Sequence, residues 1–311
     1  MLVRVILFTY RRVPDKTIES LLKNSLAKES ELFIFSDGYK NEIDKKDVLE
    51  VRQYLKTIDG FKNISIYESR KNKGLANSII AGVTKIINEY EKVIVLEDDL
   101  IVSSDFLDYM NEALAFYKDD KKIWSISGYT PNLKCLKDYD KDVYLSVRAN
   151  SWGWATWKDR WDSIDWEIKD WKEFKKDKKA VEKFNLGGND MYKMLELQML
   201  GKIDSWAIRW CYNQFKQNKY TVYPKYSKII NNGFADEKAQ HNSGQKWDKF
   251  DVALCNKKLR FEKISIVNKQ ILKEFKDLYS IGLYTKIGYF LKKHGGYDMV
   301  KKVIKGLKNV G

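Results

Sequence analysis

The sequence predicts an α/β protein built around a mainly parallel sheet. Along the first hundred residues, short apolar runs of strand length alternate with amphipathic helical patterns, as in sheets whose parallel strands are joined by helices. The first run is continuous, and this alternation of strands and helices implies a parallel sheet that is covered on both faces. With 311 residues, of which 44% are hydrophobic and 14% aromatic, the chain is long enough for a sizeable core and is not disordered.

Four strands and three helices are predicted in residues 1–102. The first strand is VRVILF at 3–8, and the apolar pattern after Pro14 predicts a helix over 15–28. The elements that follow are a strand at 32–38, a helix marked by Val48, Val51, Leu55 and Ile58, a strand at 63–69, a helix marked by Leu75, Ile79, Ile80, Val83, Ile86 and Ile87, and a strand at 93–96. Because such sheets bind ligands where their strands end, the polar residues at these ends form the candidate site.

The second half of the chain mixes strands with helices. A helix capped by a serine at 103 or 104 is expected to reach residue 117. Strands are predicted at 123–128, 143–148, 220–223 and 227–231, and helices at 172–184, 189–200 and 205–218. Trp154, Trp157 and Trp161 have the spacing of one helix face, so we expect a helix that buries them in the core.

The formal net charge of +14 is concentrated at the C-terminus. Residues 257–311 contain fourteen Lys and Arg against four Asp and Glu, so this segment carries +10 and the rest of the chain only +4. A nucleic-acid-binding protein needs a basic surface on its folded body, and the near balance of the body argues against one. The sequence thus divides into 1–102, 103–250 and a basic helical tail, 251–311.

Composition and motifs exclude several kinds of site. The three Cys lie far apart without a CxxC pair, which argues against a disulfide framework and a zinc knuckle, and a total of two His excludes a poly-histidine metal site. Neither a GxGxxG fingerprint nor a P-loop is present. The sequence has no run of about 18 apolar residues and no secretory leader. A cytoplasmic protein is therefore expected.

Three adjacent carboxylates, Glu97-Asp98-Asp99, follow the fourth predicted strand. Ionising all three at the end of a buried strand is costly unless positive charge lies close by. They form either a solvated acidic turn or the ligands of a divalent cation. Their position at a strand end favours the metal site, and oxygen ligands suit Mn²⁺ or Mg²⁺.

Four segments resemble GT-A fold glycosyltransferases, in particular bacterial glycosyltransferase family 2 and the N-acetylglucosaminyltransferase I group. They are VIVLEDDLIVSSDFLDYM at 93–110, SWGWATWKDRW at 151–161, DSWAIRW at 204–210 and NNGFADEKAQH at 231–241, and the resemblance covers residues 1–245. It implies that 1–102 and 103–250 are the nucleotide-sugar-binding and acceptor-binding halves of a GT-A domain.

The resemblance also implies an activity. The donor would be a nucleotide-diphospho-sugar, with UDP favoured, and the reaction would use Mn²⁺ or Mg²⁺ and invert the anomeric carbon. The acceptor would be an oligosaccharide or a lipid-linked glycan, in the synthesis of a bacterial surface polysaccharide such as lipopolysaccharide or capsule.

Residues at matching positions take their expected roles from this resemblance. Asp99 would be the direct metal ligand, and His241 would lie near the diphosphate or the metal. The residues implied to contact the nucleotide sugar are Thr9, Arg11, Asp37, Asn72, Lys73, Gly74, Glu97 and Asp98. Among them, Asp37 would accept from the N–H of uracil. Residues 72–74 would either open a helix towards a phosphate or ribose or form only a charged loop and a helix cap. Trp152 either fills the core or stacks on a sugar ring in the donor or acceptor pocket.

An inverting transfer needs a carboxylate that removes the proton from the acceptor hydroxyl. The candidates are Asp204 in KIDSWAIRW and Asp190 in GGNDMY. Asp204 is favoured because its segment resembles the catalytic DDW element of the N-acetylglucosaminyltransferase group, although Ser205 stands where a second Asp would fall. The alternative for both residues is a helix cap.

Two basic amphipathic helices are predicted in the tail, around 283–291 and 299–307. Such helices suit binding to an anionic membrane surface, which would place the enzyme on the inner face of the cytoplasmic membrane. The alternative is that they pack on the catalytic domain or on a second subunit of a homodimer.

Three other functions are open at this level. A sugar-nucleotide pyrophosphorylase needs a Gly-rich turn after the first strand, and FTYRRVP lacks one. A nucleic-acid-binding protein is opposed by the charge distribution. A catalytically inactive sugar-binding module would bind a nucleotide sugar without turnover.

Overall fold

The computed structural model describes residues 2–233 and 253–282, together with 288, 290, 291 and 293. The strands are β1 Arg4–Thr9, β2 Glu31–Ser36, β3 Asn63–Glu68, β4 Lys92–Glu97, β5 Leu100–Val102, β6 Ile123–Ser127, β7 Val143–Ser146, β8 Trp154–Trp157, β9 Tyr220–Pro224 and β10 Ile229–Asn231. The helices are α1 Asp15–Leu22, α2 Glu42–Leu55, α3 Leu75–Tyr90, α4 Phe106–Phe116, α5 Lys158–Trp161, α6 Trp171–Phe174, α7 Lys178–Phe184, α8 Met191–Met199, α9 Trp206–Lys216 and α10 Lys269–Leu278. Short 3₁₀ turns lie at Ala27–Glu29, Lys134–Leu136 and Asn185–Gly187.

Eight of the strands form one sheet in the order β3-β2-β1-β4-β8-β6-β9-β7. β1 to β4 run parallel to one another, and β6 runs parallel to β9. β8 runs antiparallel to both β4 and β6, and β7 runs antiparallel to β9. Alternate residues of β1 enter two different cores: Val5 and Leu7 pack in one, and Ile6 and Phe8 in the other. Because both faces are covered, the predicted α/β class with a mainly parallel sheet is confirmed.

The tryptophan-rich segment forms a strand where a helix was predicted. β8 pairs with β4 from Val95 opposite Trp154, and Trp154 and Trp157 are both buried. Trp161 follows in the single turn of α5 and is also buried. The prediction of core packing is confirmed and the prediction of a helix is wrong, because pairing with two neighbouring strands decides the backbone conformation.

Some predicted boundaries also change. The first helix ends at Leu22 rather than at 28, since the Asn24 side chain donates to the carbonyl oxygens of Ser20 and Ser103 and turns the chain. The charged segment 172–184 forms α6 and α7 in place of one helix, and Asp177 caps the second of them. A serine cap for α4 is wrong, because Asp105 occupies the cap position.

Residues 253–282 pack back onto the body of the protein. The Lys228 ammonium group is fully buried and donates to the Asp105 carboxylate and to the carbonyl oxygens of Cys255 and Lys257, at 2.5 to 2.8 Å. The Tyr117 hydroxyl donates to the carbonyl oxygen of Glu262. α10 then packs on β7 and β9 through its apolar face.

The predicted tail helices fall mostly outside the described residues. Of that segment, Lys293 forms an ion pair with Glu196 of α8 at 2.8 Å, which connects the tail to the body at this point. Within the described part of the chain, no helix has both the length and the apolar character needed to cross a membrane.

Candidate functional site

A cavity of about 380 Å³ opens at the carboxyl ends of β1, β2 and β4; we call it the strand-end cavity. The residues predicted to bind donor or metal that line it are Thr9, Arg11, Asp37, Asn72, Gly74, Glu97, Asp98 and Asp99. Residues from four separate segments therefore meet at one edge of the sheet, as expected for a parallel arrangement. Lys73 contributes its backbone to this region, and His241 lies outside the described residues.

Asp37 holds the loop that precedes α3. Its carboxylate accepts from four protein groups, which are Gly38 N, Asn72 Nδ2, Lys73 N and Gly74 N, at 2.8 to 3.2 Å. The start of this loop lies close to Gly38, which follows β2. A Cβ atom added to Gly38 would come within 2.5 Å of the Lys71 backbone. Asp37 lines the cavity, but these bonds occupy most of its acceptor capacity. These hydrogen bonds therefore indicate that Asp37 holds the 72–74 loop in position.

The three carboxylates after β4 all reach the strand-end cavity. Burial, together with repulsion from Asp99 and Asp98, raises the pKa of Glu97 well above its ordinary value. Burial and repulsion from Asp99 raise the pKa of Asp98 to about 7, even though the backbone N–H of Tyr10 donates to Asp98 Oδ2 at 3.1 Å. The three carboxylates are thus crowded together in a largely buried setting, which disfavours ionising all of them.

Asp99 is contacted by a distant part of the chain. β10 pairs antiparallel with β5, which brings Asn231 Nδ2 within 3.3 Å of Asp99 Oδ2. The backbone N–H of Asn232 donates to the Asp99 carbonyl oxygen at 2.8 Å. A Cβ on Gly233 would lie 2.5 Å from Asp99 Oδ2, so the chain passes directly over this carboxylate.

A polar cluster beside β1 was not predicted. Asp44, at the start of α2, accepts from the Tyr10 hydroxyl at 2.8 Å and from Arg11 Nη1 at 2.6 Å. The backbone N–H of Lys40 donates in turn to the Tyr10 hydroxyl at 3.2 Å. The hydrogen bond from Tyr10 and the Arg11 charge lower the pKa of Asp44. Tyr10 and Lys40 both line the strand-end cavity, and their position directly after predicted strands was a usable signal.

The two candidate bases occupy different environments. Asp204 is 57% exposed and lies 3.3 Å from Arg209, and its Oδ2 lies 3.9 Å from where a Cβ on Gly74 would be. It does not cap α9, because Ser205 does. Asp190 forms a bidentate pair with Arg148 at 2.8 and 3.0 Å, and both side chains are largely buried. Asp204 therefore lies at the rim of the strand-end cavity, whereas Asp190 is held in an ion pair.

Trp152 lies in a second cavity, which we call the Trp152 cavity. Its volume is about 180 Å³, and its walls include Tyr129, Asn150, Arg148 and Tyr279. Trp152 is half-buried. One part of its side chain packs against the core and another part lines the cavity, so each of the two predicted roles applies to part of the side chain. It does not line the strand-end cavity.

The carboxylates of the strand-end cavity suit a divalent cation. Residues 2–233 and 253–282 contain no group of three or more His, Cys, Asp or Glu side chains arranged to hold a metal ion by themselves. Mg²⁺ and similar ions, however, are often bound by one or two carboxylates together with substrate phosphates. Burial and mutual repulsion raise the pKa values of Glu97 and Asp98, and a cation bound here would offset the repulsion.

Comparison with known proteins connects this site to a family. The sequence profile of the GNT-I family matches residues 3–183, which is more than half of the chain. The alpha-1,3-mannosyl-glycoprotein 2-beta-N-acetylglucosaminyltransferase of Arabidopsis thaliana is 30% identical over 80 residues, which are 25% of this chain and 18% of the plant protein. These matches support the predicted relationship to the N-acetylglucosaminyltransferase I group, and neither supports bacterial glycosyltransferase family 2.

Proposed function

The chain belongs to the GNT-I family, and we propose that it is a metal-dependent inverting glycosyltransferase that uses a nucleotide-diphospho-sugar donor. One observation carries the proposal. A cavity at the carboxyl ends of parallel strands gathers three carboxylates, a helix-opening loop and basic residues of the β1 end, as a bound diphosphate with its cation requires.

The donor would occupy the strand-end cavity. The Thr9 hydroxyl is buried and has no hydrogen-bond partner among the described residues, so a ligand group is a suitable partner for it. Arg11 lines the same cavity and is oriented by Asp44. The loop 72–74, held by Asp37, presents the start of α3 to the cavity. We assign these residues to the nucleotide and its phosphates.

Asp99 would hold the cation, with Glu97 and Asp98 beside it and His241 as a further candidate ligand. Mn²⁺ and Mg²⁺ are the ions proposed, because the available ligands are oxygen atoms. A bound cation supplies positive charge for the leaving diphosphate.

Asp204 is the proposed base. In the transfer, the acceptor hydroxyl oxygen forms a bond to the anomeric carbon of the donor while the bond from that carbon to the diphosphate breaks. Asp204 accepts the proton of the hydroxyl group, and the nucleoside diphosphate leaves. Its carboxylate suits this role because it is exposed to solvent and adjoins Gly74 at the rim of the cavity.

The donor sugar follows from the plant relative. Its name specifies transfer of N-acetylglucosamine to a mannosyl-glycoprotein, so UDP-N-acetylglucosamine is the donor to test first. A bacterial surface polysaccharide as the acceptor, a homodimer and an anionic membrane surface as the partner of the tail remain predictions from the sequence.

A thermal-shift panel of nucleotide sugars, each with and without Mn²⁺, tests the proposal. At least one UDP-sugar is expected to raise the melting temperature only when Mn²⁺ is present, as ligand binding to the native state requires. The metal-dependent part of the shift is expected to disappear in Asp99→Asn.

Asp138→Asn is the matched control, since Asp138 is exposed and lines none of the cavities described. It is expected to keep the full shift. If no nucleotide sugar stabilises the wild-type protein in a metal-dependent manner, the proposed function is wrong.

A further inference from the structure

Asp204 lies close to both cavities. Its Oδ2 lies 3.9 Å from where a Cβ on Gly74 would be, and Gly74 lines the strand-end cavity. On the other side, the first turn of α9 lines the Trp152 cavity, and Asp204 directly precedes this turn. Asp204 therefore lies between the two cavities.

Aromatic and polar groups share the walls of the Trp152 cavity. The Trp152 ring meets Tyr129 edge to face, with centroids 4.6 Å apart, and Tyr279 forms a further wall. Asn150 and Ser151 add an amide and a hydroxyl group. Aromatic faces beside neutral hydrogen-bonding groups match a sugar ring, which has apolar C–H faces and a polar edge.

Arg148 is the one charged residue among those that line the Trp152 cavity, and its charge is already paired. Arg148 binds both carboxylate oxygens of Asp190, and one of its nitrogens also donates to the Gly187 carbonyl oxygen at 3.3 Å. Its guanidinium carbon lies 3.9 Å from the centre of the Tyr279 ring. Because the Arg148 charge is paired and covered, the cavity does not offer a free cation to an anionic ligand.

We propose that the Trp152 cavity binds one uncharged sugar ring of the acceptor and that the Arg148–Asp190 pair excludes acidic sugars. The inference rests on the proposed function, because it places the acceptor hydroxyl next to Asp204. Pockets for drug-sized ligands have volumes of about 300–1,000 Å³. The 180 Å³ of this cavity therefore fits a single ring rather than a nucleotide.

One wall of the Trp152 cavity, Tyr279, comes from the C-terminal part of the chain. It comes from the segment after α10, which lies outside residues 3–183 matched by the family profile. The segment is fixed next to the cavity, since the backbone N–H of Ile281 donates to the Asn189 side chain at 2.9 Å. The C-terminal segment thus contributes to acceptor choice.

The test is saturation-transfer NMR on the full chain with UDP and Mg²⁺ present. The probes are the methyl glycosides of glucose, mannose and N-acetylglucosamine, together with methyl glucuronide as the anionic comparison. At least one neutral glycoside is expected to bind with a Kd on the order of 1 to 10 mM, about tenfold more tightly than the glucuronide.

Two variants and one control locate the binding. Trp152→Ala and Tyr279→Ala are expected to weaken the neutral glycoside about tenfold and to leave UDP affinity unchanged. Phe116→Ala is the control, because Phe116 is an exposed aromatic residue that packs on Tyr117 and Phe261 and lines none of the cavities.

Glucuronide binding equal to or tighter than that of every neutral glycoside would overturn the inference. So would the absence of neutral-glycoside binding in a protein that binds UDP, and this outcome would leave the proposed function standing. Loss of both UDP and glycoside binding in the wild-type protein would overturn both.

Discussion

Replacing Asp190 or Asp204 by Asn is expected to damage different properties of the protein. Asp190 and Arg148 are only 11% and 14% exposed and are joined by two hydrogen bonds. Removing one partner of a buried ion pair costs about 3–5 kcal/mol, because the other charge is left uncompensated. Asn has the size of Asp and keeps one acceptor oxygen. We therefore expect Asp190→Asn to lose about 3 kcal/mol of stability, the lower end of this range.

This loss converts into a measurable change in melting temperature. Each kcal/mol shifts the melting temperature by about 2–4 °C in a chain of this size class, so Asp190→Asn is expected to melt about 6–12 °C below wild type. Asp204 is 57% exposed and has one contact with Arg209 at 3.3 Å. Exposed pairs contribute about 0–1 kcal/mol, so Asp204→Asn is expected to melt within about 4 °C of wild type.

Turnover is expected to show the opposite order. Loss of a general base lowers kcat by about 10²–10⁴-fold, which is the effect expected for Asp204→Asn. Differential scanning calorimetry and a UDP-release assay on the same preparations measure both quantities. If Asp190→Asn melts like wild type without turnover while Asp204→Asn turns over normally, the two roles assigned here are reversed.

Three further outcomes are expected. Gly38→Ala places a methyl group against the backbone of the neighbouring loop and is expected to cost about 1–3 kcal/mol in a urea titration; Gly282→Ala, with open space around the added atom, is the control. Lys228→Met leaves the half-buried Asp105 carboxylate and two carbonyl oxygens without this donor, and calorimetry is expected to show a loss of about 3 kcal/mol, the lower end of the range for buried pairs. The lowered pKa of Asp44 means that its stabilising effect is present above its ordinary pKa of about 4 and is lost as the pH falls through the folded-state value. Between about pH 5 and pH 2, urea unfolding of wild type is therefore expected to lose more stability than that of Asp44→Asn, and equal losses would contradict this.

The first four strands could be predicted from the sequence because their signal is local. Each is a short segment rich in apolar residues, and each of the first three is followed by an amphipathic helix. The rule that parallel sheets bind ligands at their strand ends then pointed to six residues that line the strand-end cavity, which are Thr9, Arg11, Asp37, Glu97, Asp98 and Asp99. Both inferences depend on residues that are near one another in the chain.

The features that were mispredicted depend on distant pairing. Trp154 and Trp157 look like one helix face, but in β8 they point into different cores, and β4 and β6 hold them there. The ion pair of Asp190 joins it to a residue 42 positions away, and no local pattern shows it. The burial of the two tryptophans could be predicted from their residue type. The strands that pair with β8, and the arginine that pairs with Asp190, could not be predicted, because these partners are distant in the sequence.

The position of β8 has a consequence for the order in which the chain folds. β8 is inserted between β4 and β6, which precede it in the sequence, so the apolar strand β4 keeps an open edge until residues 154–157 emerge from the ribosome. Open, apolar edges pair readily with other chains and promote aggregation. A fragment that stops at residue 102 is therefore expected to aggregate, and the shortest fragment that covers this edge extends through Trp157.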